Sequence, residues 1–164
     1  MLRGKRFYAL VAVALAAALV LPAVALAGSK TIYPAKGIGS ARLGMGDKKA
    51  AKYIGKIVKS GKDNNYPGQT VYYFYFGKKS GGKYAIEMYS NKKHIVFGFV
   101  VNSSAYATAK GVKIGSTEAK LKSAYPSVTL VGGSTYTHYR LATNPCTDFY
   151  CKGGKVRIIQ IWKH

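Results

Sequence analysis

Leu43-Gly44-Met45-Gly46-Asp47-Lys48-Lys49-Ala50-Ala51-Lys52-Tyr53-Ile54 aligns, 71 residues further on, with Ile114-Gly115-Ser116-Thr117-Glu118-Ala119-Lys120-Leu121-Lys122-Ser123-Ala124-Tyr125. Each copy runs from an apolar residue through Gly and two small or flexible residues to an acid, then into a helix-period stretch. Identity is low but the order of residue types is kept, which marks an internal repeat. Asp47 and Glu118 each fall in a first helical turn, where a carboxylate meets the positive end of the helix dipole. Ser116 is predicted to cap the second helix. The first helix is predicted from Asp47 to about Lys59, with Ala50, Ile54, Ile57 and Val58 on one face. Lys48, Lys52, Lys56 and Lys59 fall on the other, and Gly61 is the expected stop. The second helix ends before Pro126, because the residue preceding a proline resists the α region.

Beyond each helix the hydrophobic period changes from helical to two. Thr70 to Phe76, Tyr84 to Ser90 and His94 to Val101 read as three strands, with turns at Lys78–Lys83 and Asn91–Lys93. Val128–Val131, Thr135–Leu141 and Val156–Lys163 repeat the series more loosely, with a cysteine-bearing loop between the last two. Asn102 to Lys110 is read as a linker. The expected fold class is therefore α+β: tandem duplicated units, each a helix followed by a three-stranded antiparallel β-meander, over 28–107 and 108–164. Neither unit alone buries much surface, so the two are expected to form one compact domain with shared or abutting sheets.

Residues 1–27 read as a secretory signal peptide. Arg3, Lys5 and Arg6 form the basic region, Ala9 to Leu21 the apolar one, and Ala25-Leu26-Ala27 the cleavage site. The expected product is secreted and extracellular, begins at Gly28, and is not an integral membrane protein after cleavage. In that oxidising setting Cys146 and Cys151, the only two cysteines, are expected to form a disulfide.

The chain carries 26 Lys and Arg against 5 Asp and Glu, a net charge of +21; without the three cations of the leader it is +18. Twenty lysines but only Arg42, Arg140 and Arg157 remain after residue 27. Lysine acts as a mobile point charge, whereas arginine forks onto phosphates and base edges. The expected partner is accordingly an anionic polymer or cell surface, or an acidic protein, with no reading of nucleic-acid sequence. Strand alternation in Val71-Tyr72-Tyr73-Phe74-Tyr75-Phe76 sends Tyr72, Phe74 and Phe76 one way and Tyr73 and Tyr75 the other. With Tyr89 on the next strand, Tyr73 and Tyr75 form either an interface between the units or an exposed stacking face. The candidate binding surface is Tyr73, Tyr75 and Tyr89 with Lys48, Lys52, Lys56 and Lys59.

Ile38 to Gly55, and Thr108 to Tyr125 as Thr-x-x-Gly-Val-x-Ile-Gly-Ser-Thr-x-x-x-Leu-x-x-x-Tyr-Pro, resemble the helix-start pattern of small exported bacterial proteins of the β-lactamase inhibitory protein-like and SmpA/OmlA-like fold group. The resemblance implies helix-plus-meander units and protein binding without catalysis. The lipoproteins of that group carry a lipid-attachment cysteine directly after the leader, and the residue after Ala27 here is Gly28.

Signals for catalysis are few. Gly37-Ile38-Gly39 and Gly44-Met45-Gly46 complete neither phosphate-loop pattern, and no G-x-S-x-G elbow occurs. His94, His138 and His164 are too dispersed for a local zinc motif. No enzyme activity, cofactor or metal is expected. Glu87 and Asp148 are acids without an evident structural role, and a small-hydrolase reading requires a cleft with a polar constellation, for instance His138 near Glu87. The leading reading is a secreted non-catalytic binding protein for an anionic polymer; the alternative is an inhibitor or adaptor that binds a protein through the tyrosines.

Overall fold

Gly55 decides the architecture of the first half. It adopts φ 135°, open only to glycine, and closes the helix with a hydrogen bond from its N–H to the Ala51 carbonyl (3.0 Å). Helix α1 is thus Asp47–Ile54, eight residues long. Ile57 to Lys59, expected to continue the helix, instead open strand β4 (Ile57–Asp63). The computed structural model describes residues 30–63 and 69–164; the signal peptide expected over 1–27 lies outside them.

The chain opens with the short strands β1 (Thr31–Tyr33), β2 (Gly37–Ile38) and β3 (Ala41–Arg42). After α1 come β4, β5 (Val71–Ser80), β6 (Lys83–Ser90) and β7 (Val96–Val101). Strand β8 (Ala107–Thr108) precedes helix α2 (Glu118–Ala124), and β9 (Thr129–Gly132), β10 (Thr137–Leu141), β11 (Cys146–Lys152) and β12 (Lys155–Trp162) complete the chain. Two sheets result: a small one ordered β3-β2-β1-β8, and an eight-stranded one ordered β4-β5-β6-β7-β12-β11-β10-β9. Strand β8, in the segment expected to be a linker, pairs in parallel with β1.

The expected α+β class with three-stranded meanders is corrected: among the described residues this is a mostly β fold with twelve strands and two short helices. Each half contributes a four-stranded meander, and the meanders join edge to edge where β7 pairs with β12. The four short strands of the small sheet and two strands of the large one escaped the sequence reading. β4 was hidden because its lysines continue the helical spacing of α1. β11 was hidden because the expected disulfide suggested a loop, although Thr147, Phe149 and Tyr150 favour a strand.

The two segments 71 residues apart take the same place in their halves. The Gly44 N–H bonds to the Val96 carbonyl, and the Gly115 N–H to the Val156 carbonyl (both 2.8 Å). The Asp47 and Glu118 amides likewise bond to His94 and Gly154, in the turns before β7 and β12. Thr117, not Ser116, caps α2: its hydroxyl accepts from the Lys120 N–H at 3.1 Å, while the Ser116 hydroxyl accepts from Lys113. Both acids also fasten their helices to the sheet. The Asp47 carboxylate accepts from Ser90 Oγ (3.0 Å) and meets His94 Nδ1 (2.8 Å). Glu118 accepts from the Tyr139 hydroxyl (2.7 Å).

Both helices and the small sheet lie on one face of the large sheet. Ile32, Ile38, Ala50, Val112 and Leu121 share a single core with Phe76, Ile86, Met88, Phe99, Val101, Phe149, Ile159 and Ile161. The ladders hold the sheet residues to that side, pairing Phe76 with Ile86, Met88 with Phe99, and Phe149 with Ile159.

Candidate functional site

The residues that alternate with this core point to the opposite face of the eight-stranded sheet, and no helix or strand among the described residues covers that face. Its cross-strand pairs place Gly61 beside Tyr73, Lys59 beside Tyr75, Tyr73 beside Tyr89, Tyr75 beside Glu87, and Tyr89 beside Gly98. Beyond the central strands, Gln160 pairs with Val100, Asp148 with Gln160, Arg140 with Asp148, and His138 with Tyr150. Two groups of side chains stand on this face.

The first is aromatic. Tyr73 stacks on Tyr75 (ring centroids 4.8 Å apart), and Tyr75 on Tyr84 (4.7 Å). Trp162 lies flat over Gly98, where a Cβ would run into its ring, and contacts Tyr89 (5.5 Å) and Phe97 (5.7 Å). Its indole N–H donates to Gln160 Oε1 at 2.9 Å. The Tyr89 hydroxyl donates to Glu87 Oε2 (2.6 Å), whose other oxygen accepts from Asn102 Nδ2 (3.0 Å). Partial burial, then the Glu87 charge, raises the Tyr75 phenol above its ordinary value.

The second group surrounds Asp148, which is only 2% exposed. Arg140 grips its carboxylate with two bonds, Nε at 2.7 Å and an Nη at 2.9 Å. His138 Nε2 lies 3.2 Å from the same carboxylate, off the line of a hydrogen bond, and its ring stacks on Tyr150 at 4.6 Å. Burial alone would raise the Asp148 carboxyl; the bonds from Arg140, with the His138 imidazole close by, outweigh it and hold the group below the usual carboxylate range. The bond to Asp148 in turn raises the Arg140 guanidinium, against the opposing effect of burial.

The structure gathers some of the expected site residues and disperses others. Tyr73, Tyr75 and Tyr89 share the open face, and Lys59 joins them from β4. Lys48 and Lys52 stay on α1, and Lys56 follows its end, so the expected single lysine stripe on one long helix is replaced by two elements. The expected Cys146–Cys151 disulfide is corrected: both thiols are buried and unpaired. They occupy one extended strand, where five residues at about 3.3 Å each separate them by roughly 16 Å, far beyond a disulfide's reach of about 7 Å. Cys151 points into the core, whereas Cys146 pairs across from Trp162 and lies 3.8 Å from Asp148. Burial, helped by the Glu118 charge, pushes the Cys151 thiol up to about 11.

The constellation of His138 with Glu87 does not form. His138 and Glu87 share a face but stand four strand spacings apart, about 19 Å at the usual 4.8 Å. The contact of Ser90, Asp47 and His94 places the carboxylate between hydroxyl and imidazole, so the histidine has no serine proton to take. Sequence reasoning did not single out Tyr84, Phe97, Arg140 or Tyr150. The alternation of Gln160 and Trp162 with Ile159 and Ile161 in β12 was the available signal for the outer face.

The ion pairs among the described residues use His94, His138 and Arg140, never a lysine. All twenty lysines from Lys30 to Lys163 are exposed. Eleven of them lie between Lys48 and Lys93, in the half that carries the stacked tyrosines.

No protein-family model matches the chain. No curated protein sequence matches it. In fold it is similar to the uncharacterized protein yfeY from Escherichia coli, whose crystal structure aligns with a TM-score of 0.52 and 17% identity over 83% of this chain and 98% of that one. At that identity the likeness concerns the fold alone.

Proposed function

We propose that this chain is an exported, non-catalytic binding protein whose open sheet face holds an anionic polymer. One observation carries the reading. Of the three acids on that face, Glu87 and Asp148 are occupied by internal partners and Asp63 closes β4 across from Val71, while the lysines around it stand exposed and outside any ion pair among the described residues. The face therefore offers ring surfaces for stacking beside a surplus of positive charge. Stacking on Tyr73, Tyr75 and Tyr89 suits the ring units of a polymer, and lysine charge suits its diffuse anionic backbone. No arginine fork besides the occupied Arg140 stands among these residues, which favours attraction without sequence reading.

The test is a titration with a teichoic-type polymer, and with DNA, at several salt concentrations. Binding through charge releases counterions, so affinity falls steeply with rising salt. Tyr75→Ala weakens binding at every concentration and leaves the slope unchanged. Absent binding at low salt, or binding indifferent to salt, overturns the reading.

A second reading rests on Trp162. Fixed over Gly98 between Tyr89 and Phe97, it is the kind of rigid aromatic anchor that dominates protein interfaces. A partner protein seated there gives a stoichiometric complex that resists salt and is lost with Trp162→Ala.

A further inference from the structure

The end of the large sheet nearest α1 is opened by three features at one level. Gly55 ends the helix. Strand β4 bulges between Ile57 and Lys59. Strand β5 bulges between Phe76 and Lys79, where Gly77 takes φ 75° and leaves no room for a Cβ against Ala85. Bulges bend strands apart and are frequent beside binding sites. Between these elements lies a cavity of about 630 Å³, within the range of small-molecule sites, roughly 300–1,000 Å³. Its lining shares only Tyr84 with the ring row of the open face.

The lining has two chemistries. Ile54, Val58, Phe76 and Tyr106 give an apolar surface, and Val58 is 57% exposed. Burial raises the Tyr106 phenol, which marks a poorly hydrated wall. Lys56, Lys78 and Lys79 are exposed at the same cavity, and no acid lines it. A neutral apolar ligand would leave three ammonium groups unused. A sugar would find two tyrosine hydroxyls for its many polar groups and lose the rest on desolvation. Three lysines and no arginine suit a compact single charge better than a bidentate phosphate contact.

We infer that this cavity binds a long-chain carboxylate, with the alkyl chain over Ile54, Val58, Phe76 and Tyr106 and the head group among Lys56, Lys78 and Lys79. This is a site for a small amphiphile, separate from the polymer-binding face, and either reading can fail while the other stands.

Calorimetric titration of the full chain with dodecanoate below its micelle concentration tests it, beside dodecanol (same chain, no charge) and butanoate (same charge, short chain). The expected result is saturable binding at one site, with both comparison ligands at least tenfold weaker. Lys78→Ala/Lys79→Ala and, separately, Val58→Asp weaken dodecanoate at least tenfold. Lys120→Ala/Lys155→Ala removes equal charge elsewhere and changes nothing. All these positions are exposed, and an unfolding curve for each variant confirms that it folds. Binding that fails to saturate, equal binding of dodecanol, or equal loss in the Lys120/Lys155 pair overturns the inference.

Discussion

Gly98→Ala is a one-methyl perturbation whose effect follows from the open face. Gly98 lies beneath the Trp162 ring, and an added Cβ would meet Cζ3 and Cε3, with Cη2 at 2.9 Å. The strand backbone on either side is held in two ladders, to Tyr89 and to Trp162, so the indole must yield. Displacing it loses the contacts with Tyr89 and Phe97. Aromatic pairs contribute about 0.5–1.5 kcal/mol each beyond their burial, so the loss is about 1–3 kcal/mol. Against this, replacing glycine by alanine at an ordinary backbone conformation stabilises by about 0.4–1 kcal/mol through the unfolded chain. The net expectation is a destabilisation of about 1–2 kcal/mol in denaturant unfolding. Trp162 is the only tryptophan, so its emission reports the displacement directly and should shift to the red. In a Trp162→Ala background the clash is absent and only the entropic gain remains, so the same substitution becomes neutral or stabilising. Equal destabilisation in both backgrounds, or an unchanged emission in the single variant, would refute the reasoning.

Three further outcomes follow from the polar contacts. Asp148→Ala strips Arg140 of its partner and should cost about 3 kcal/mol, near the low end for a broken buried pair because Arg140 is partly exposed. Because the folded Asp148 carboxyl titrates below its unfolded value, its contribution is full above about pH 4 and is lost as acid takes the pH down through the folded value; parent and Asp148→Asn unfolding curves should therefore converge in acid. Asp47→Ala removes the acceptor of Ser90 and the partner of His94 at the start of α1, and should cost about 2 kcal/mol by thermal unfolding. With two buried thiols, a reductant should leave the melting temperature unchanged, and a thiol reagent should label both cysteines fully only after unfolding.

How much was legible in the sequence differs between residues for physical reasons. The repeat at Leu43 and Ile114 was visible because a glycine followed by an acid leaves a type pattern that survives low identity. That Tyr73 and Tyr75 face away from Phe74 and Phe76 was visible because strand alternation is strictly local; whether the other half covers them was not, because that depends on how the meanders join. The end of α1 was misplaced because Lys48, Lys52, Lys56 and Lys59 keep helical spacing through Gly55, and the backbone conformation of that glycine overrides the pattern. The disulfide was misjudged because five residues of separation fit a closed loop as well as an extended strand. Only pairing with β10 and β12 decides between them, and that pairing is a long-range fact. The Asp148 cluster was invisible for the same reason, since Arg140 and Asp148 meet across strands.

Chemical-shift mapping of the labelled protein during titration with a teichoic-type polymer tests the central claim most directly. The account predicts shifts concentrated at Lys59, Tyr73, Tyr75, Tyr89 and Trp162, reversed by added salt, with α1 and α2 largely unmoved. Shifts concentrated on the helices, with the sheet face silent, would contradict it.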